Sequence, residues 1–305
     1  MSGFDLPGEE LFKDGSFNLP LGSKIETKKL VLTSGGGGSN ASVTFARQRW
    51  DTAFLSVVGN DTNGQDVLNE LKREGVDISG VERLDGRATP YSVILVQDGG
   101  ERTILTFRGD ISFQSINISE NNLSAKWLLL DSVGGDFDLF EKVINIGVKN
   151  NIKLVTNPDM KELGHGMDQL KPLLKNFSIV ILNQDEAAKL VGIESEKEDE
   201  IFKAMDEVVD GIVVMTKGPA GVAVSDGEHI YKAGIPDSPV IERTGAGDAF
   251  TSGFVSEYMR SADISRSIQL ATANASSVVT QYGGKAGILK KDDLGPWPLV
   301  EVFKK

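Results

Sequence analysis

Short apolar runs alternate with longer amphipathic stretches along most of the chain. The apolar runs that predict strands are residues 53–58, 126–130, 152–156, 178–182 and 212–216. Beside them, apolar positions recur at near-helical spacing, as over 67–76 and 137–148. Strands of about five residues alternating with helices of about twelve are typical of βαβ units and a mostly parallel sheet. The pattern therefore predicts an α/β fold, in which ligands bind beyond the carboxyl ends of the strands.

Two β-prone regions interrupt this rhythm. Residues 91–96 and 103–107 flank Asp98-Gly99-Gly100, a combination that predicts an antiparallel hairpin. Residues 29–33 form another short β-prone piece. These pieces predict a small antiparallel sheet beside the main one.

This small sheet is expected to act as a lid, built from about 18–33 and about 88–110. No long linker and no internal repeat divides the chain. We therefore expect a single α/β domain over residues 1–305.

The composition narrows the function classes. Among 305 residues, 40% are hydrophobic and 25% are charged, as is usual for globular proteins. The formal net charge of −12 repels phosphate backbones, which argues against nucleic-acid binding. The absence of cysteine excludes disulfides, thiolate zinc sites and a cysteine nucleophile. With only two histidines, a histidine-based triad or a multi-histidine metal site is nearly excluded.

The sequence also bears on localisation. No segment approaches the ~18 apolar residues that a membrane-spanning helix needs, so we expect no membrane contact. Residues 1–17 are rich in acidic side chains and lack a basic region followed by an apolar core. Such a start does not resemble a secretory signal, and we expect a cytoplasmic protein.

A run of four glycines precedes Ser39, Asn40 and a helical pattern. Glycines before a helix let the backbone approach a ligand closely, and the Asn40 side chain suits a sugar hydroxyl. A plain helix-capping turn is the alternative interpretation. Gly36, Gly38 and Ala41 also fit the nicotinamide pattern G-x-G-x-x-A. That reading is disfavoured because the acid expected to end the next strand is instead Asp61, beyond a glycine turn.

A second run of small residues, 244–250, leads into an amphipathic helix. Consecutive backbone N–H groups at a helix start form a hole for the negative charge that develops on a transferred phosphoryl group. Asp248 is then placed to accept a proton from an attacking hydroxyl. The alternative is that Asp248 is only a favourable acid in the first turn. No P-loop pattern occurs, because Gly284-Lys285 is followed by Ala286.

Two further motifs follow predicted strands. The string 183–186, Asn-Gln-Asp-Glu, places a carboxylate where it would hold water around a nucleotide-bound Mg²⁺. An ordinary helix N-cap with acidic first-turn residues explains the same string. Residues 216–221 form a glycine turn, for which a plain hairpin turn is the alternative.

Taken together, these motifs resemble the PfkB, or ribokinase-like, family of carbohydrate kinases. The glycine pair followed by Asn40 and a helix looks like the family's N-terminal pattern, and residues 242–248 look like its C-terminal pattern D-T-x-G-A-G-D. Three further matches are the N-x-x-E pair Asn183 and Glu186, the strand-end pair Asn157-Pro158, and the glycine turn at Gly218 and Gly221. The order and separation of all five motifs fit the family over about residues 27–290.

The resemblance implies a doubly wound, mostly parallel sheet flanked by helices, with a small antiparallel β lid. It implies transfer of the γ-phosphoryl group of ATP to a hydroxyl of a sugar or sugar derivative. Asp248 would be the general base, and Gly245, Ala246 and Gly247 would form the anion hole. The other implied site residues are Gly35, Gly36 and Asn40 for the sugar, Asn183, Thr216, Gly218, Gly221, Asn274 and Gly283 for the nucleotide, and Glu186 for Mg²⁺ through water.

Two departures from the family pattern matter. Glu242 and Arg243 stand where the family usually has Asp-Thr, a pair that in many members helps to build a monovalent-cation site, which leaves potassium activation in question. The family also begins with a hydrophobic strand, whereas residues 1–23 contain no β-branched apolar run. The first strand is therefore expected to be missing or replaced.

Two other functions fit the same motifs. A nucleoside kinase of the same fold differs only in its acceptor pocket, which the sequence does not resolve. A non-catalytic sugar- or nucleotide-binding regulator would not need Asp248, so the presence of Asp248 argues against it, whereas a missing N-terminal strand favours it. Because lid strands expose an edge, a homodimer formed through the lid is also predicted.

Overall fold

The computed structural model describes residues 2–5, 12–13, 16–97, 102–119 and 123–305. The chain forms two compact units, each assembled from three segments. Unit 1 comprises Met1–Ile111, Asp237–Phe250 and Asn274–Gly295, and unit 2 comprises Ser112–Pro236, Thr251–Ala273 and Pro296–Lys305.

The elements are numbered in chain order. The strands are β1 (Ser2–Asp5), β2 (Phe12–Lys13), β3 (Ser16–Phe17), β4 (Lys29–Leu32), β5 (Ser56–Gly59), β6 (Val81–Leu84), β7 (Tyr91–Val96), β8 (Arg102–Phe107), β9 (Trp127–Leu130), β10 (Lys153–Thr156), β11 (Phe177–Asn183), β12 (Ile212–Thr216), β13 (Val222–Ser225), β14 (Ile230–Ala233) and β15 (Phe303–Lys304). The α-helices are α1 (Gly37–Arg47), α2 (Thr62–Arg73), α3 (Phe137–Lys149), α4 (Met160–Leu163), α5 (Met167–Leu174), α6 (Gln184–Val191), α7 (Glu198–Asp206), α8 (Ala246–Ser261) and α9 (Ile264–Val279).

Unit 2 is built on a sheet with the strand order β15-β14-β13-β12-β11-β10-β9. The four strands β9 to β12 pair in parallel, and β12 to β15 continue the sheet as antiparallel neighbours. β11 lies inside the sheet between β12 and β10, and its residues Ile179, Val180 and Ile181 are almost fully buried. A continuous apolar run is what a strand covered on both faces requires. The predicted strand-and-helix alternation is confirmed here.

The parallel strands place their carboxyl ends at one edge of this sheet. β10 is followed by Asn157, and β11 and β12 end at Asn183 and Thr216, which are direct partners in the register of the two strands. The polar residues predicted at strand ends therefore lie along that edge.

Unit 1 contains a four-stranded sheet with the order β4-β1-β7-β8. The predicted hairpin is confirmed, since β7 and β8 pair antiparallel from Tyr91 opposite Phe107 to Val96 opposite Arg102. Its predicted turn at 98–100 lies outside the described residues. This sheet is separate from the seven-stranded one.

The sequence pattern did not predict β1. This strand of four residues pairs antiparallel with β4 and in parallel with β7. Its position is therefore stabilised by hydrogen bonds on both sides, a feature that apolar periodicity cannot reveal. Residues 2–5 therefore contribute a strand to this sheet, which the lack of a β-branched apolar run in residues 1–23 did not indicate.

Helices α1 and α2 surround a separate core in unit 1. It is formed by Val43, Leu71, Val76, Ala249, Val278 and Ile288. The Asp61 carboxylate caps α2 by accepting a hydrogen bond from the Gly64 N–H at 2.8 Å. Within the described part of the chain, every helix is too short or too polar to cross a membrane.

Candidate active site

Asp248 lies in the first turn of α8, as the sequence predicts. Its Oδ2 accepts a hydrogen bond from Nδ2 of Asn40 at 2.6 Å. Asn40 is the fourth residue of α1 and is 2% exposed. Two motifs that are 208 residues apart in sequence therefore meet through one short hydrogen bond.

Burial raises the pKa of Asp248 above its ordinary value. The hydrogen bond from Asn40 and the positive charge of Lys285 act in the opposite direction and favour the carboxylate. Desolvation makes a carboxylate a stronger base, while a donor and a nearby cation keep it ionised. Asp248 thus has the surroundings that a general base needs.

A turn formed by Gly283 and Gly284 packs against this pair. A Cβ at Gly284 would lie 2.7 Å from Nδ2 of Asn40. Gly245 has φ +81°, and a Cβ on it would lie 2.5 Å from the Gly284 Cα. Both contacts require glycine, because a side chain would separate segments that the site needs in contact.

The loop before α1 leads directly to Asn40 of this pair. Gly36 is the N-cap of α1, and no side chain caps the helix there. The hydroxyl of Ser39 turns inward and donates to the carbonyl oxygen of Gly35 at 2.8 Å. Residues 34–40, which we call the acceptor loop, are therefore braced from within and are joined to Asp248 through Asn40.

The predicted anion hole is partly engaged by the chain itself. The Ala246 N–H donates to the carbonyl oxygen of Arg243 at 3.3 Å. Gly247 is exposed, and a Cβ on it would meet no atom within 4 Å. Of the three amides predicted for this role, the Ala246 amide thus has an internal acceptor, and Gly247 borders open space.

Glu242 fixes the Gly283 turn. It is 2% exposed, and its Oε2 accepts a hydrogen bond from the Gly283 N–H at 2.8 Å. Its Oε1 is buried and accepts no hydrogen bond from the described residues. Gly283, predicted for the nucleotide, therefore lies in unit 1, next to Gly284, which packs against Asn40.

Lys285 was missed by the sequence analysis. It follows the Gly283 turn directly and is 2% exposed. Its Nζ donates to the hydroxyl of Ser34, the first residue of the acceptor loop. In the sequence, a lysine after glycine indicates a phosphate-binding P-loop only when Ser or Thr follows, and here Ala286 follows. The pattern therefore gave no indication that Lys285 is buried in the site.

In unit 2, Asn183 and Glu186 form a reciprocal cap on α6. Asn183 Oδ1 accepts from the Glu186 N–H at 2.8 Å, and Glu186 Oε2 accepts from the Asn183 N–H at 2.8 Å. This capping box is the structural alternative considered for the motif. Burial raises the pKa of Glu186, and the negative charge of Asp159 adds to the shift.

The glycine turn after β12 is held by its own backbone. The Lys217 N–H donates to the carbonyl oxygen of Gly221 at 2.8 Å, around a short 3₁₀ turn at Gly218–Ala220. The side chains of Lys217 and Lys232 both contact Glu198 at 2.7 Å. The turn thus starts one residue beyond Thr216 at the edge where the parallel strands end.

Asn274, predicted for the nucleotide, is held by contacts within the protein. It is fully buried, its Nδ2 donates to the carbonyl oxygen of Ala249 at 2.8 Å, and its Oδ1 accepts from the Leu289 N–H at 2.8 Å. Both ends of the amide are engaged by the protein. These contacts join α9 to Ala249 of α8 and to Leu289.

Among the described residues, no group of three or more acidic or histidine side chains is placed to hold a metal ion. Mg²⁺ in nucleotide sites is commonly held by one or two carboxylates together with substrate phosphates, so it does not require such a group. Glu186, in the first turn of α6 and three residues after β11, carries an oxygen ligand of the type that Mg²⁺ prefers.

The sequence profile described as pfkB family carbohydrate kinase matches residues 12–291. The chain belongs to this family. It is therefore a kinase, a phosphotransferase with an alcohol group as acceptor, and ATP is the phosphoryl donor associated with its relatives.

Relatives of this carbohydrate kinase include both sugar and nucleoside kinases. It is 29% identical over 275 residues to a ribokinase of Haemophilus influenzae, with 88% of each chain covered. It is 27% identical over 256 residues to a cytidine kinase of Thermococcus kodakarensis, covering 83% of this chain and 90% of the relative.

Solved structures share the fold of this carbohydrate kinase. A putative ribokinase from Agrobacterium tumefaciens superposes with a TM-score of 0.81 at 18% identity, covering 96% of this chain and 92% of the other. The Arabidopsis thaliana ribokinase complexed with ribose and ATP gives 0.74 at 23% identity, covering 96% and 93%. The predicted ribokinase-like α/β architecture with a separate small sheet is thereby confirmed.

Proposed function

We propose that this kinase transfers the γ-phosphoryl group of ATP to a hydroxyl of a sugar or sugar derivative, with Asp248 as the general base. The observation that carries the proposal is the hydrogen bond from Asn40 to Asp248. It orients the carboxylate that would accept the proton of the acceptor hydroxyl. As the new O–P bond forms, the hydroxyl proton passes to Asp248, and the bond between the γ-phosphorus and the ADP oxygen breaks.

The start of α8 would stabilise the charge of the transferred group. Gly245, Ala246 and Gly247 precede and open the helix, where its dipole is positive. Because the Ala246 amide has an internal acceptor, we assign the larger share of this role to the amide of Gly247, which is exposed.

We place the acceptor against Gly35, Gly36 and Asn40. The support is that Asn40 belongs both to the acceptor loop and to the hydrogen bond that orients Asp248. An acceptor bound by this loop would bring its hydroxyl to the base without further rearrangement.

The nucleotide elements would be the strand-end residues of unit 2. Asn183 and Thr216 are register partners, and the glycine turn at Gly218 and Gly221 follows directly. Glu186, with Asn183, would hold Mg²⁺ through water. When bound, this cation would neutralise charge on the nucleotide phosphates.

A nucleoside kinase is the second candidate, because the matched cytidine kinase is nearly as similar to this chain as the ribokinase. The two differ in the acceptor, so a substrate screen separates them. ADP release is measured over pentoses, hexoses, sugar acids, sugar phosphates and nucleosides, each with Mg²⁺ and with EDTA. We expect Mg²⁺-dependent turnover with a free sugar or sugar derivative and none in EDTA.

The screen distinguishes three outcomes. Turnover confined to nucleosides would replace the sugar kinase with the nucleoside kinase. Tight binding of a sugar or nucleotide without any turnover would favour the non-catalytic regulator. The Asp248→Asn variant serves as the background for ADP released by contaminants.

The four-stranded sheet of unit 1, β4-β1-β7-β8, also supports a homodimer. Leu32 of β4, and Leu105 and Phe107 of β8, lie on the same face of the sheet and are 72%, 53% and 58% exposed. β4 and β8 are the outer strands, whose backbone edges are open to pairing. We propose that a second copy of this chain covers this face in a two-fold dimer.

Leu105→Glu tests the homodimer. We expect wild-type protein to sediment as a dimer and Leu105→Glu as a monomer, because a buried carboxylate opposes association. Ile104→Glu is the matched control, since its neighbouring position on β8 points to the other face. A wild-type monomer at micromolar concentration would refute the dimer.

A further inference from the structure

Lys285 lies at the centre of a small polar cluster in unit 1. Its Nζ donates to the hydroxyl of Ser34 and lies 3.9 Å from Oε2 of Glu70. The Ser34 N–H donates to that same Glu70 oxygen at 3.3 Å. The ammonium of Lys285 thus lies beside both the Ser34 hydroxyl and the Glu70 carboxylate, and the backbone N–H of Ser34 joins the same carboxylate to the first residue of the acceptor loop.

The backbone of Lys285 is fixed as well. Arg47 donates to the carbonyl oxygens of Lys285 at 3.0 Å and of Ile288 at 2.9 Å, while its guanidinium pairs with Glu74 at 2.7 Å. An ammonium on a fixed backbone, buried and hydrogen-bonded, has little freedom to leave its position. The preceding residue, Gly284, packs against Asn40, so the same turn contacts both ends of the acceptor loop.

We propose that Lys285 is a positioning residue for phosphoryl transfer: its ammonium holds the Ser34 end of the acceptor loop and keeps Asp248 ionised. The proposal rests on the proposed function, since it takes Asp248 as the base. It assigns to this lysine a role that the motif resemblance does not include. In this proposal Lys285 does not touch the substrate and acts only through Asp248 and the acceptor loop. It is therefore a positioning residue and not a catalytic residue.

The charges around Lys285 support this role. The charged groups that act on it are Glu70 of α2, Glu74 directly after α2, Arg47 of α1 and Asp248 of α8. Burial lowers the pKa of Lys285 to about 8, while the carboxylates oppose the shift. The lysine in turn lowers the pKa of Asp248.

The directions of the pKa shifts of Asp248 and Lys285 predict that activity depends on pH with an acid limb and an alkaline limb. Activity falls on the acid side as Asp248 takes up a proton, and it falls above about pH 8 as Lys285 loses one. Removal of the ammonium raises the pKa of Asp248, so the acid limb moves to higher pH. It also removes the limb near pH 8.

The Lys285→Met variant is the first test. We expect kcat/KM near neutral pH to fall about tenfold or more, the acid limb to move up by about one pH unit, and the alkaline limb to disappear. Lys285→Arg, which stays charged to high pH, should return the acid limb to its wild-type position. Unchanged limbs in Lys285→Met would overturn the proposal.

Two milder variants keep the test valid if Lys285→Met does not fold. Glu70→Gln removes a charge that supports the ammonium, so the alkaline limb should move to lower pH. Ser34→Ala removes only the contact with the loop, so KM for the acceptor should rise several-fold while both limbs stay in place. A purely structural lysine would give a loss of thermal stability in these variants without any movement of the limbs.

A direct titration separates this proposal from the proposed function. In protein labelled with ¹³C-lysine, one Cε resonance should titrate near pH 8, vanish in Lys285→Met and titrate at lower pH in Glu70→Gln. If the resonance behaves so but no acceptor turns over, the proposed function fails. If an acceptor turns over and the pH limbs ignore Lys285, the function stands and the positioning role fails.

Discussion

Replacement of Asp248 by asparagine should lower kcat by about 10²- to 10⁴-fold, the range typical for loss of a general base. The fold should survive, because an asparagine carbonyl can accept the hydrogen bond that Asn40 donates. ATP affinity should be nearly unchanged, since the proposed nucleotide elements lie elsewhere in the chain. Single-turnover rates and ATP binding by calorimetry measure the two effects separately.

The exposed Asp66 in α2 provides the matched control for charge removal. Asp66→Asn should leave the turnover rate within about twofold of wild type. If Asp248→Asn were as active as Asp66→Asn, another group would have to accept the proton. The wild-type rate should also fall on the acid side at a pH above the ordinary aspartate value, because burial raises the pKa of Asp248.

Substitution of Gly245 by alanine should reduce both stability and activity. The residue has φ +81°, a conformation that costs an L-amino acid about 1–2 kcal/mol. The new Cβ would also lie 2.5 Å from the Cα of Gly284, so one of the two backbone segments must shift. Together these effects predict a loss of about 2–4 kcal/mol in the free energy of unfolding. Chemical denaturation of the folded enzyme measures this loss.

Gly247→Ala is the control two residues away. A Cβ there meets no atom within 4 Å, and alanine favours the helical conformation. Its free energy of unfolding should therefore be unchanged or slightly higher. An equal loss in both variants would mean that the contact between Gly245 and Gly284 does not determine stability.

Several features could be predicted because they depend on local chemistry. The apolar runs of β10, β11 and β12 are visible as continuous hydrophobic segments, and Asp248 is recognisable from the small residues before it. The helix predicted to follow the small residues of 244–250 is α8, which begins at Ala246. β1, in contrast, is short and has no apolar pattern, and its two partner strands follow it in the chain at different distances.

In the site, too, residue types could be predicted from local sequence, whereas the contacts between distant residues could not. The sequence indicates that Asn40 and Asp248 are polar residues at helix starts, but their hydrogen bond joins positions 208 residues apart. Asn274 was predicted to face a nucleotide, although its amide is satisfied inside the protein. Lys285 was passed over, because only packing decides whether a lysine extends into solvent or is buried beside a carboxylate.

By itself, the sequence determined the α/β class, the family and the types of residue available for phosphoryl transfer. These follow from periodicity and from short motifs whose chemistry is local. Only the tertiary structure decided which polar groups meet, which amide of the predicted anion hole is already engaged, and how burial sets the pKa values of Asp248 and Lys285. The physical reason is that desolvation and long-range hydrogen bonds depend on neighbours that are distant in sequence.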